Sequence, residues 1–162
     1  MRNLLLSLSF VALASLTSCM HYSFSGSTLP AHIKTVTIPL PDNSTSKVGL
    51  EQKVYESVYA AYAAMNKPAV VRSGGDAELV IKIKGYQNNP DEFDAQGNVK
   101  TYKVIISADV RFTDKKENAA LYEGTVSGMG VYNHTSETEN TGIENALKKL
   151  NESIINNTIS GW

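Results

Sequence analysis

Hydrophobic and polar positions along this chain follow two periods, and the switches between them mark its elements. Ile33-Lys34-Thr35-Val36-Thr37-Ile38 is rich in branched residues and reads as a first strand. Pro39 and Pro41 end it, because proline cannot donate to a ladder. Asp42–Ser46 is a polar loop. From Leu50 to Met65 the period changes. Leu50, Val54, Val58, Ala61 and Met65 recur at spacings of three and four, which lines them on one helical stripe. Ala60, Ala61, Ala63 and Ala64 favour helix further, and Pro68 closes the segment. Ala69-Val70-Val71 is a short strand.

Period two then returns. Over Ala77–Tyr86, Leu79, Ile81 and Ile83 point one way, and Lys82 and Lys84 the other. Gln87–Asn98 holds Asn89-Pro90 and Gly97-Asn98 and reads as a turn region. Val99–Thr113 is the longest strand. Tyr102, Val104, Ile106, Ala108, Val110 and Phe112 form its inner face, with Ile105 as an apolar exception on the outer one. Asp114–Asn118 is a hairpin loop. Leu121–Val131 is the next strand, where Gly124, Gly128 and Gly130 predict a bulge or bend. After the polar stretch Asn133–Asn140, a last helix runs from Thr141 to Ser160. Ile143, Ala146, Leu147, Leu150, Ile154 and Ile155 give its apolar face. The order predicts an α+β fold. It is a two-layer sandwich, a mostly antiparallel sheet of about four strands with both amphipathic helices packed on one face.

The first 31 residues follow neither period. Leu4–Leu16 is a mainly apolar run after the positive start Met1-Arg2-Asn3. It is well short of the roughly 20 residues needed to span a bilayer, so it reads as a signal-peptide core. Leu16-Thr17-Ser18-Cys19 follows, a lipobox with small residues before the cut and the chain's one cysteine after it. The expected organisation is a signal peptide over 1–18, a lipidated tether over 19–31 and one domain over 32–162. The thiol of Cys19 would carry acyl and diacylglyceryl lipid, and more than one chain makes anchoring stable. Met20 stands where an aspartate would retain a lipoprotein in the inner membrane, which favours the outer membrane. Tyr22 and Phe24, two apart, could dock on the domain.

A formal net charge of -1 argues against a nucleic-acid partner, which calls for a strongly basic chain. No constellation suggests an enzyme. His21, His32 and His134 lack carboxylates or thiols at metal-ligand spacing, and no serine sits in a nucleophile elbow. Asp91, Glu92 and Asp94 read as a solvated acidic turn, without the six or more oxygens of a calcium cage. Asn43, Asn133, Asn151 and Asn156 open Asn-x-Ser/Thr triplets, read as incidental. Strand parity gathers Lys82, Lys84, Lys103 and Arg111 on the polar face of the sheet. There they are candidate contacts for the phosphates of an anionic ligand. No metal or diffusible cofactor is implied.

A family likeness covers nearly all of the chain after Cys19. Tyr22-Ser23-Phe24-Ser25-Gly26, Leu29-Pro30, His32–Val36, Ile38-Pro39, Asn43, Gly49-Leu50-Glu51 and Asp76–Leu79 resemble the LptE family. So do Tyr86, Pro90, Phe93–Val99, Tyr102-Lys103-Val104, Asp114 and Leu121-Tyr122-Glu123. Pro41 departs from it, standing where the family has an aromatic residue. The resemblance implies a non-enzymatic outer-membrane lipoprotein. It would plug and help assemble an LptD-type β-barrel for lipopolysaccharide transport, on the periplasmic side or within the lumen. A different class stays open, a periplasm-facing, lipid-anchored module for peptidoglycan or another envelope ligand.

Overall fold

The structure, a computed structural model, describes residues 29–65 and 67–160. The lipobox, Cys19, Met20, Tyr22 and Phe24 lie outside the described residues. Six strands and two α-helices follow one another in the order β1 (Thr35–Thr37), β2 (Asp42–Asn43), α1 (Leu50–Ala63), β3 (Ala69–Val71), β4 (Ala77–Phe93), β5 (Val99–Asp114), β6 (Ala119–Asn133) and α2 (Glu139–Ile155). The last helix passes into a π-helical turn over Asn156–Ser160.

The sheet is open, mixed and six-stranded, which corrects the expectation of about four mostly antiparallel strands. Its order is β3-β1-β4-β5-β6, with β2 also paired to β4. The β4–β5 and β5–β6 pairs are antiparallel, while β1–β3, β1–β4 and β2–β4 are parallel. Of the short strands, β1 and β3 fall within the predicted Ile33–Ile38 and Ala69–Val71, while β2 lies in the predicted polar loop and is held by its pairing with β4. The Asp76 carboxylate accepts the N–H groups of Lys34 at 3.0 Å and Thr35 at 2.9 Å, fixing where β1 begins. Thr35 also donates its hydroxyl to Asp76, and this bond, with the two N–H groups, holds the carboxyl below its ordinary range.

The largest correction concerns Gln87–Asn98. The chain stays extended to Phe93, with Pro90 opposite Tyr102, and the turn proper is confined to the last few residues. Asparagine and proline are tolerated here because β1 and β2 pair only with the first half of β4, so one edge of the second half is open. Asp94 makes the turn. Its Oδ1 accepts from the N–H groups of Gln96 and Asn98, and Gly97 supplies the left-handed φ of 83°. A register shift between Ile83 and Gly85 resets parity, so that both Ile83 and Tyr86 face the helices.

Both helices pack on one face, as their stripes predict, and contribute to one core with Val36, Leu79, Ile81, Ile83, Ile106 and Phe112. In α1 the stripe is Leu50, Val54, Val58 and Tyr62, so Tyr62 replaces the predicted Ala61 and Met65, and the helix stops at Ala63. The Tyr62 hydroxyl donates to Thr158 Oγ1 at 2.6 Å, and Thr158 in turn donates to the Ile154 carbonyl. This bond ties α1 to the π turn, and burial pushes the Tyr62 phenol up. Asn151 Nδ2 donates to Ser57 Oγ at 2.6 Å as a second tie between the helices. The last helix begins at Glu139, two residues before the prediction.

Two of the glycines of β6, Gly128 and Gly130, mark close contact with α2. The register between β5 and β6 runs without a break from Phe112–Tyr122 to Thr101–Asn133, so no bulge lies at Gly124, Gly128 or Gly130. Gly128 and Gly130 face α2, whose backbone sits directly on them. Pro41, the departure from the family pattern, is buried, so an apolar ring still fills that position.

Candidate functional site

With the helices on one face of the sheet, the other face is left uncovered. Register brings Lys82 opposite Asp109 and Arg111 opposite Glu123, with Asp109 opposite Thr125. Lys82 Nζ lies 3.2 Å from Asp42, Arg111 Nε lies 3.6 Å from Glu123, and the Thr125 hydroxyl donates to Asp109 at 2.7 Å. Lys82, Asp109, Arg111, Glu123 and Thr125, with Val80, line a depression of about 320 Å³. Lys103 pairs with Asp91 further along. Lys84 sits at the register shift, exposed, with no carboxylate within ion-pairing distance among the described residues.

Three of the four predicted cations, Lys82, Lys103 and Arg111, are therefore neighbours of Asp42, Asp91, Asp109 and Glu123, and the face is mixed in charge. Sequence reading missed the partners because Asp42 and Asp91 read as loop and turn residues. Exposed pairs of this kind contribute about 0–1 kcal/mol and exchange partners readily. Apolar side chains share the same face. Val80 is 43% exposed, Met129 53% and Val131 38%. Ile105, the exception in its strand, lies opposite Met129, and Val131 lies opposite Lys103. The face is amphipathic, with apolar side chains that no part of the described fold covers.

A polar and aromatic cluster closes the far end of the helix-covered face. The Tyr86 hydroxyl donates to Glu139, the first residue of α2. Lys47 Nζ lies 2.9 Å from Glu139 and 5.3 Å from the centre of the Tyr86 ring. Asn88 bonds the Tyr132 hydroxyl at 3.2 Å, and the Tyr132 ring stacks on Tyr102 at 5.6 Å. His134 lies against Tyr102. The Tyr86 hydroxyl, then Lys47, hold the Glu139 carboxyl below its ordinary value of 4.5. Burial, then the carboxylate, push the Tyr86 phenol up. A depressed carboxyl stabilises the fold above its unfolded value, and that contribution is lost as pH falls through the folded one. Tyr86→Phe should cost about 1 kcal/mol at neutral pH, modest for a bond to a charged group because Glu139 is 37% exposed. In urea unfolding, the gap between parent and variant should shrink as pH falls below 4.5. A gap constant with pH would show that the hydroxyl does not act through Glu139.

His32, Asn43 and Asn133 have structural roles, while His21 lies outside the described residues. His32 Nε2 lies 2.6 Å from Asp114, whose carboxylate also accepts the N–H groups of Lys116 and Glu117. Burial alone would raise the Asp114 carboxyl, but those N–H groups and His32 hold it below its ordinary range. Asn43 and Asn133 each accept from the N–H and hydroxyl of the threonine two residues on. Their Asn-x-Thr triplets are turn motifs. Asp91 and Glu92 belong to β4 and only Asp94 to the turn. Among the described residues no three His, Cys, Asp or Glu side chains could jointly hold a metal, and no helix is long and apolar enough to cross a membrane.

Solved structures share this architecture. A protein of Xanthomonas campestris superposes with a TM-score of 0.58 at 13% identity, covering 83% of this chain and 90% of its own. A hypothetical protein of Chlamydia trachomatis gives 0.56 at 10% identity, over 75% and 92%. PelC of Paraburkholderia phytofirmans, solved as a dodecamer, gives 0.52 at 10% identity, over 78% and 89%. At such identities the likeness is one of fold alone. No curated protein matches the chain. The family LptE, described as lipopolysaccharide-assembly, matches residues 33–158, which takes in every strand and both helices. The chain belongs to the LptE family of lipopolysaccharide assembly.

Proposed function

We propose that this protein is an outer-membrane lipoprotein, anchored through lipid on Cys19, that plugs an LptD-type β-barrel and helps assemble it for lipopolysaccharide transport. Family membership supports the process. The uncovered amphipathic sheet face supports the mechanism, because exposed Val80, Met129 and Val131 suit burial against a partner wall. The surrounding ion pairs would form the polar rim of that contact. Lys82, Lys84, Lys103 and Arg111 are the proposed contacts for lipopolysaccharide phosphates. A doubly charged phosphate competes well with a single exposed carboxylate for such cations.

Affinity purification of the anchored protein in mild detergent tests the plug. A barrel subunit of large mass should come down with the parent, and Met129→Asp/Val131→Asp should lose it while keeping the parent's melting temperature. Recovery of peptidoglycan fragments and no barrel would overturn the reading. The phosphate contacts are tested separately, with purified lipopolysaccharide over a salt series. Replacing all four cations by Gln should weaken capture most at low salt, where screening is least. Equal binding at every salt concentration would remove these residues from the ligand site and leave the plug untouched.

A further inference from the structure

Three segments converge at the end of the domain where the chain enters it: the start of β1, the link from α1 to β3, and the π turn after α2. Ala69 N–H donates to the Lys34 carbonyl at 2.8 Å, which brings the link holding Lys67 beside Lys34. Between them lies a cavity of about 640 Å³, twice the depression on the sheet. Leu29, Ile33 and Ile159 form apolar wall, with Ile33 buried, and exposed Lys34 and Lys67 stand at the rim. Among the described residues no carboxylate lines the cavity, and neither ammonium has one within 4 Å.

Cations beside an apolar cavity suit an amphipathic anion. The volume lies in the range of ligand sites, roughly 300–1,000 Å³. Phosphate pairs with lysine by charge-assisted hydrogen bonds, and an acyl chain gains by leaving water. Position narrows the source. Leu29 follows Cys19 by ten residues, a reach of roughly 35 Å at full extension. A lipid on Cys19 therefore keeps this end of the domain near headgroups. We propose that the cavity takes one acyl chain of an anionic glycerophospholipid, with its phosphate on Lys34 and Lys67. The bound lipid would hold the domain against the leaflet at a second point beside the covalent anchor. This rests on the anchoring reading only for the origin of the lipid.

Mass spectrometry of the mature protein, purified from membranes in mild detergent, tests the proposal. Native spectra should show one added phospholipid mass that denaturing spectra lack. Stripped protein should take up phosphatidylglycerol and not phosphatidylcholine. Ala31→Trp, an exposed position on the wall, narrows the cavity without touching the core. Lys34→Glu/Lys67→Glu reverses the rim. Each variant should bind phosphatidylglycerol at least tenfold more weakly while melting with the parent. Absence of any bound or captured phospholipid overturns the proposal, as do equal uptake by both variants and capture of lipopolysaccharide alone. The denaturing spectrum separately reports the mass on Cys19, so a failed anchor and an empty cavity are distinguished.

Discussion

Gly128→Ala and Gly130→Ala should each destabilise the domain by about 3 kcal/mol or more, while Gly124→Ala in the same strand stays near neutral. A Cβ on Gly128 would lie 2.0 Å from the Ala146 carbonyl oxygen and 2.5 Å from the Leu150 nitrogen. One on Gly130 would lie 2.1 Å from the Gly142 oxygen and 2.4 Å from the Ala146 nitrogen. These are backbone atoms of α2, so relief requires the whole helix to rise off the sheet. Raising it would loosen Ile143, Leu147, Leu150 and Ile154, all buried, and open voids under them. On the facing side Gly142 is also closely placed, since a Cβ there would lie 2.6 Å from the Tyr132 ring. At Gly124 the nearest atom is the Tyr122 hydroxyl at 2.7 Å, the far end of a side chain that can turn aside. Urea unfolding of the three variants checks the contrast. Equal losses at all three positions would mean that the glycines act through strand propensity and not through helix contact.

The same glycines show where sequence reading stops. Their presence in β6 was legible, and so was the alternation around them, because parity is a local property. Val104, Ile106, Ala108, Val110 and Phe112 are all buried as their spacing predicts, and so is the stripe of α2 apart from half-buried Ile155. Whether a strand glycine bends the chain or admits a helix depends on an element that follows it in sequence, and no local pattern encodes that. The second half of β4 failed for the opposite reason. Asn88-Asn89-Pro90 carries strong turn signals, but β5 offers a partner along that whole length and the ladder prevails. The candidate surface was half legible. Parity put Lys82, Lys103 and Arg111 outside, yet it could not show Asp42 and Asp91 beside them, because those neighbours are set by register. Of the parallel strands, β1 and β3 were legible from their branched residues, while β2 spans two polar residues, too few for any pattern to register.

Cys19→Ser should abolish membrane retention through lipid and leave an uncleaved precursor. The expectation comes from chemistry in the sequence, since Cys19 lies outside the described residues. A serine hydroxyl keeps the size of the thiol but not its nucleophilicity, because the thiolate is the reactive form and a hydroxyl scarcely ionises at neutral pH. Without the lipid the lipobox Leu16-Thr17-Ser18 is no longer presented to the peptidase with its modified residue, so cleavage fails with acylation. The effect is all or none. Each buried CH₂ contributes roughly 0.8 kcal/mol, so losing whole chains removes an affinity that no surface contact replaces. The precursor still holds the apolar run Leu4–Leu16, which keeps part of it at the inner membrane and makes simple fractionation ambiguous. Labelled palmitate resolves this. The parent should take up label and migrate as the shorter mature chain, and Cys19→Ser should take up none and migrate as the longer one. Label on the variant would place the lipid elsewhere and sink the lipoprotein reading. A variant cleaved without label would instead point to an ordinary secretory signal.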